Sequence, residues 1–393
     1  MIMKTSRTCQ YFQRKRPQGV TLIELLVALV ISLLGALAIM QVYIGSEAGK
    51  RATGSLSDAQ SGGLIALYSI ERDLQQAGLG FLNLNTLGCN LRSSFALNNR
   101  FLQPVSIVPA GAAIGHPSNL WGIPPGDANS DMLVIAVGDG GALVEGTRLA
   151  LPVGPGEMLV RLENARGIQS GDFLLLGEAG QDCTLARATA LPSASGDVTL
   201  DFATAAAYSL NAVVMHLGRA PSLIVYAVRN GALTRCDFMI TNCASAALTN
   251  DPAVWMPVAN DVVALAGQYG FDITAPANLR ADAYCKTRVP ASSNCPNPDT
   301  GLSAAPGADA NQGVRACDWT RIPLVQLALV ARSGQSEKDM VSPATLKLWP
   351  DSVVAPTTIG PDWPVADRHY RYRVARGAVA LRNVIWMGAQ PSC

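Results

Sequence analysis

Residues Val20 to Met40 form an apolar run broken only by Thr21, Glu24, Ser32 and Gly35. As a helix rising ~1.5 Å per residue, a run of this length spans ~32 Å, about one bilayer core. The segment before it, residues 1–19, carries Lys4, Arg7, Arg14, Lys15 and Arg16 and no acidic residue. That segment is therefore +5, and because the whole chain is +1, the remainder is −4. A basic flank stays cytoplasmic, which sends the C-terminal body across the membrane. A secretory signal peptide has a shorter apolar core and a small-residue cleavage site after it. Here the run is long and no A-x-A site follows, although Gly45-Ser46-Glu47-Ala48-Gly49 is rich in small residues. The near-neutral total charge argues against a nucleic-acid partner.

Glu24 is the acid in this greasy stretch. Thr21-x-x-Glu24 fits a capping box, in which both side chains satisfy free N–H groups at a helix start. A carboxylate deeper in a bilayer costs roughly 2.5–3.5 kcal/mol, and an intramembrane acid calls for a partner. A cut between Gly19 and Val20 would create an amine to serve as one. A charge pair ~4 Å apart at an effective dielectric near 20 gains roughly 4 kcal/mol before desolvation, enough to offset burial.

The basic leader, Gly19, Val20-Thr21-Leu22-Ile23-Glu24-Leu25 and the apolar helix together resemble the type III signal of type IV prepilins and type II secretion pseudopilins. The resemblance implies cleavage after Gly19 by a prepilin peptidase and N-methylation of Val20. It also implies that Glu24 pairs with the N-terminal amine of a neighbouring subunit. Two features depart from the family pattern: Val stands where Phe is usual, and the 19-residue leader is long.

Beyond the membrane segment, residues 41–78 remain helix-compatible, weakened by Gly45, Gly49, Gly54, Gly62 and Gly63. One long helix over 20–80 is expected, its glycines being the places where it could break. Leu64, Leu67, Leu74 and Ala77 should share its docking face, and Gly78 should stop it. From residue 81 to 393 the pattern turns β-rich. Strands are expected at 131–137, 158–162, 173–176, 197–202, 212–217, 262–271, 322–332 and 370–384. The run Leu223 to Arg235 centres on Asn230-Gly231 and predicts a hairpin with a type I′ turn. Residues 291–313, rich in Pro, Gly, Ala, Ser and Asn, read as the middle of a surface excursion over 283–319. The fold class is therefore α+β: a pilin-like transmembrane helix packed on a β-rich periplasmic domain.

Blocks in the body sharpen the resemblance. Glu71-Arg72-Asp73-Leu74 through Gly78, Gln268-Tyr269-Gly270 with Asp272, residues 322–333, and residues 371–383 look like PilW-type minor pilins. These blocks read as sheet core and identify a fold. Residues 81–210 and 280–318 match no motif. What the resemblance implies is a minor pilin of type IV pilus assembly, a tip or priming subunit acting in adhesion and twitching motility. Its implied partners are the prepilin peptidase, the major pilin, other minor pilins and a PilY-type tip adhesin. The inner membrane would hold it before assembly and the pilus afterwards. A J-like type II secretion pseudopilin is the alternative, and an anchored periplasmic enzyme or binding protein a second.

Nine cysteines are present, and Cys9 would leave with the leader. Cys89, Cys183, Cys236, Cys243, Cys285, Cys295, Cys317 and Cys393 remain, an even number suited to an oxidising compartment. Spacing cannot choose among 105 pairings. Local pairs are expected: Cys236 with Cys243, and Cys285 with Cys317 or Cys295, the former closing the excursion for roughly 3–4 kcal/mol. The three histidines, His116, His216 and His369, form no H-E-x-x-H, and no G-x-S-x-G occurs. Gly138-Asp139-Gly140-Gly141 lacks the phosphate fingerprint. Asp127-x-Asn129-x-Asp131 opens like a calcium loop but fails at Met132 and Gly138. No catalytic, cofactor or metal residues are expected.

Overall fold

The computed structural model describes residues 19–387 apart from 96, 98–99, 115–118, 120, 140–145, 273, 275–276, 287–318 and 350–361. Helix α1 runs Leu22–Gln75 as one helix, unbroken at its glycines. Two compact units divide within it, Met1–Gly54 and Ser55–Cys393. In the first, the 23 residues Leu22–Ile44 are long and apolar enough to cross a membrane, and all of them are exposed.

The second unit holds the strands. In chain order they are β1 (Asn90–Ser93), β2 (Arg100–Phe101), β3 (Val105–Val108), β4 (Met132–Val137), β5 (Thr147–Arg148), β6 (Leu159–Arg161), β7 (Phe173–Gly177), β8 (Cys183–Arg187), β9 (Asp197–Thr199) and β10 (Val213–Gly218). Then follow β11 (Ser222–Arg229), β12 (Ala232–Asp237), β13 (Met256–Asn260), β14 (Val262–Phe271), β15 (Ala283–Cys285), β16 (Leu324–Arg332), β17 (Thr345–Leu346), β18 (Trp363–Pro364) and β19 (Tyr372–Ala380). Helix α2 (Arg382–Met387) comes after them. Among the described residues the first sheet has the order β2-β1-β8-β7-β10-β5, the second β13-β12-β11-β4-β3, and the third β15-β14-β16-β19.

Side-chain alternation decides how these sheets stack. Along β11, Ile224, Tyr226 and Val228 enter one core, and Leu223, Val225 and Ala227 enter another. A strand buried on both faces reads as an unbroken apolar run, as β11 does in the sequence. The first of these cores joins β11 and β4 to β14, β16 and the last turns of α1 through Leu67, Ile70 and Leu74. The second joins the opposite face of β11 and β4 to β7 and β10, through Leu175 and Met215. A third core, with Leu149, Val160, Leu174 and Val198, lies on the far face of the first sheet. A fourth covers the far face of the third sheet with Leu348, Trp349 and Trp363.

Asn230 and Gly231 have φ of 52° and 71°, and Arg229 pairs with Ala232, so the hairpin turns as its sequence demands. The strand expected over 370–384 is cut short. It ends at Ala380, Leu381 donates its amide to the Pro323 carbonyl, and residues 382–387 turn helical. Helical spacing lets Val384 enter the same core as Leu381. Strands β1, β2, β3, β8, β13 and β15 had no clear sequence signal. Each is two to five residues long, and some are held by neighbours far along the chain, as β1 is by β8.

Candidate assembly site

The first turn of α1 is set by two side chains. The Glu24 amide donates to Thr21 Oγ1 at 3.3 Å, and the Thr21 amide donates back to Glu24 Oε2 at 3.3 Å. The Thr21 hydroxyl also donates to Oε2 at 3.2 Å, and the Leu25 amide to the Thr21 carbonyl at 3.2 Å. This is the reciprocal capping box, with Thr21 as the cap. It folds the Glu24 carboxylate back toward the chain entering the helix. The carboxylate then sits at the positive end of the helix dipole, one residue from Val20. Both contacts use Oε2, so a carboxylate with two accepting oxygens retains capacity for another donor. Gly19 and Val20 precede the helix in exposed, non-helical chain.

Downstream, polar atoms are turned inward on the helix itself. Ser32 Oγ donates to the Leu29 carbonyl at 2.9 Å, and Ser46 Oγ to the Tyr43 carbonyl at 3.0 Å. Hydroxyls satisfied in this way are compatible with lipid or with a neighbouring apolar helix.

The last turns of α1 behave differently. Ala59, Gly63, Ala66, Leu67, Ile70, Leu74 and Ala77 are buried, at intervals of three and four. Leu64, expected on this face, is 51% exposed instead, and Ile70 takes its place at the centre. Small residues bring the backbones close: a Cβ on Gly63 would meet Ala331 Cβ at 3.3 Å and Ala375 Cβ at 3.5 Å. This contact with β16 and β19 gives a reason for a glycine that is costly by helix propensity alone.

One polar cluster fixes the same turns. Asp73 is buried, and its Oδ2 accepts from the Tyr226 hydroxyl at 2.8 Å. Arg235 Nε stands 3.6 Å from Oδ2, a longer-range charge contact, and Arg72 reaches Oδ1 at 3.4 Å. Tyr226 and Arg235 are directly opposite in the β11–β12 hairpin and so share one face. Burial, together with the nearby Asp73 charge, pushes the Tyr226 hydroxyl well above its ordinary pKa. At the helix end, Asn383 Nδ2 donates to the carbonyls of Ala77 at 2.9 Å and Gln76 at 3.3 Å. Carbonyls at a helix end lie past its last i→i+4 donors, and Gln76 also accepts the Leu79 amide at 3.0 Å. The chain leaves through Gly78, with φ of 83°, whose amide donates to the Ala136 carbonyl. The sequence signalled the hairpin and the Glu71–Gly78 block, but gave no sign that Asp73 meets a tyrosine 153 residues away.

Other singled-out residues have structural partners. Asp127 accepts the amides of Asn230 and Gly231 at 3.0 and 2.8 Å, fixing the hairpin turn. Asp131 accepts the amides of Ala110 and Gly267 and meets Lys286 Nζ at 3.0 Å, tying β4 to β14. These two carboxylates do not converge. Asp272 is buried, which raises its pKa, but the Thr274 hydroxyl and the amides of Thr274, Leu279 and Asn278 outweigh burial and hold it low. His216 Nε2 pairs with Asp172 at 2.8 Å, and His369 Nδ1 contacts the Glu337 carbonyl. Gly138 packs on Leu79, donating its amide to the Leu79 carbonyl at 2.8 Å. No group of three metal-ligating side chains occurs among the described residues.

Cys236 and Cys243 are disulfide-bonded, as a local pair. Cys89 is bonded to Cys183, a link across 94 residues that joins β8 to the chain entering β1. The expectation of local pairing did not anticipate this link. β1 and β8 lie side by side in parallel register, Leu91 opposite Cys183, which brings the two cysteines together. Cys285 is also disulfide-bonded. His116, Cys9, Cys295, Cys317, Cys393 and most of the excursion over 283–319 lie outside the described residues.

Two comparisons bear on this arrangement. Residues 14–40 match the prokaryotic N-terminal methylation motif, and residues 225–383 match the family model described as type IV pilus-assembly protein W. No curated protein and no solved structure shows a significant match. A methylation motif leading into an apolar N-terminal helix, with a β-rich region beyond, defines a type IV pilin-like protein. Within that class the match to the type IV pilus-assembly protein W model supports a minor pilin of the PilW type, acting in type IV pilus assembly. The matched region runs from the strand bearing Tyr226 to Asn383, and so contains three of the groups that grip the end of α1.

Proposed function

We propose that this minor pilin is a low-copy subunit at or near the pilus tip, where it helps to prime filament growth. The prepilin peptidase cuts between Gly19 and Val20 and methylates Val20. Until assembly, α1 anchors the chain in the inner membrane with the body in the periplasm. The helix then moves from lipid into a bundle of like helices from the major pilin and other minor pilins. There the Glu24 carboxylate accepts the N-terminal ammonium of a neighbour. A PilY-type tip adhesin is the further partner, and the body acts as a structural element without catalysis. A body this large is bulky for a repeating subunit, which favours a tip position.

The observation that carries this reading is the Thr21–Glu24 box at the head of an exposed apolar helix. It holds an acid at the helix mouth with accepting capacity to spare. Intact-mass analysis of protein from sheared pili should find N-methylated Val20 as the first residue. Glu24→Ala should still be cut but enter pili poorly, and normal incorporation would remove Glu24 from the mechanism. Deletion should abolish surface pili and twitching. Loss of exoprotein secretion with normal pili would point to the pseudopilin alternative.

A further inference from the structure

The third sheet ends on an unusual edge. The other strands at the edges of the three main sheets, β2, β5, β13, β3 and β15, are two to five residues long. β13 also carries Pro257 and pairs through a bulge. Short, bulged or proline-bearing edges are how folds keep stray strands off. β19 has none of these devices. Its nine residues, Tyr372–Ala380, pair with β16 in unbroken antiparallel register and contain no proline.

Register shows which backbone groups face outward. The Ser333 amide bonds to the Arg371 carbonyl and the Leu381 amide to the Pro323 carbonyl, so odd-numbered residues of β19 bond to β16. The N–H and C=O groups of Tyr372, Val374, Arg376, Ala378 and Ala380 therefore point to the open side. Among the described residues these groups make no hydrogen bond. Gly377 and Ala378 leave little side-chain bulk in the way.

Charge selects the occupant. From Arg368 to Arg382 the chain has five arginines and no Asp or Glu. Arg371 is paired with Glu337, and Arg376 donates to the neutral carbonyls of Leu348 and Lys347. Arg368 likewise donates to the Ser342 carbonyl. Carbonyl contacts leave the positive charge in place. Arg373 and Arg382 are exposed and have no ion pair among the described residues. The acids nearby are Glu71, which reaches Gly377 from the helix side, and Asp367 in the loop before the strand.

We propose that β19 is an acceptor edge for an extended, carboxylate-bearing segment of a partner protein, which adds a fifth strand to this sheet. Main-chain bonds to the outward set give affinity, and the arginines select an acidic strand over a basic one. The role extends to partner recognition without depending on the assembly steps above.

The test uses the full chain in detergent micelles and two short labelled peptides, one alternating valine with glutamate and one alternating valine with lysine. Fluorescence anisotropy should show the glutamate probe binding about tenfold or more tightly than the lysine probe. Ala378→Pro removes an outward donor and leaves the β16 ladder intact, so binding should weaken about tenfold with the fold retained. Arg373→Glu should narrow the preference between probes. Equal binding of both probes, or wild-type binding by Ala378→Pro, overturns the proposal. So does concentration-dependent self-association that Ala378→Pro abolishes, because the occupant is then a second copy. If Ala378→Pro unfolds, hydrogen exchange decides: failure of the glutamate probe to slow exchange across 372–380 rejects the edge as a site.

Discussion

From Leu22 to Ile44, α1 is apolar on every side and wholly exposed, whereas from Ala59 to Ala77 only one stripe is buried, against the body. The first stretch needs only a uniformly apolar surrounding, and lipid or a bundle of helices serves equally. The second needs particular neighbours: Ala331 and Ala375 beneath Gly63, Tyr226 beside Asp73, and Asn383 beyond Ala77. The helix thus makes no specific side-chain fit at one end, among the described residues, and a fixed fit at the other. The proposed transfer from lipid into a helix bundle would use the first stretch.

The contrast is tested most strongly by truncating one residue in each stretch. Ile70 is fully buried and Leu29 is 57% exposed. Ile70→Ala should destabilise the body by about 2–5 kcal/mol in chemical denaturation. Leu29→Ala should leave that transition in place. Equal effects would mean that the two stretches do not differ as described.

The next effect is polar. Tyr226→Phe removes the hydroxyl that donates to buried Asp73 and should cost about 1.5–3 kcal/mol, read from the same denaturation curve. It should also flatten the response to alkali. The Tyr226 pKa is raised in the folded state, so the fold binds its proton more tightly than the unfolded chain does. Stability from this group is complete below the ordinary tyrosine value of about 10 and is lost as pH rises above it, by up to about 1.4 kcal/mol per pH unit. Tyr208, pushed up to about 12 mainly by burial, adds to the same alkaline loss. Tyr226→Phe should therefore have a shallower stability slope above pH ~10 than the parent protein.

The smallest effect is local to the first stretch. Thr21→Ala removes the cap and should cost about 1 kcal/mol of helix stability near Leu22–Leu26. Faster hydrogen exchange of those amides in detergent should report it, with the body's unfolding unchanged. A shift in body unfolding would show that the helix start and the body are energetically linked.

Legibility followed the range of the interaction. The apolar run, the capping box and the Asn230-Gly231 turn were all readable, because each is settled by residues within a few positions of one another. The docking face was half readable. Leu67, Leu74 and Ala77 were placed correctly by period, but Leu64 was not, because period fixes a stripe and the sheet beneath decides where it is centred. The end of the chain misled in a similar way. The strand expected to run to residue 384 stops at Leu381, and the helical turn that follows brings Val384 into the same core.

By itself, then, the sequence determined a basic head, an apolar helix opened by an acid-bearing cap, and a β-rich body. Composition and short spacing are sufficient causes for those features. Only the tertiary structure decided that Cys89 meets Cys183, that Asp73 meets Tyr226 and Arg235, and that β19 ends its sheet among the described residues. Each of these joins or exposes groups according to which strands become neighbours, and strand order is set by burying all the apolar faces at once.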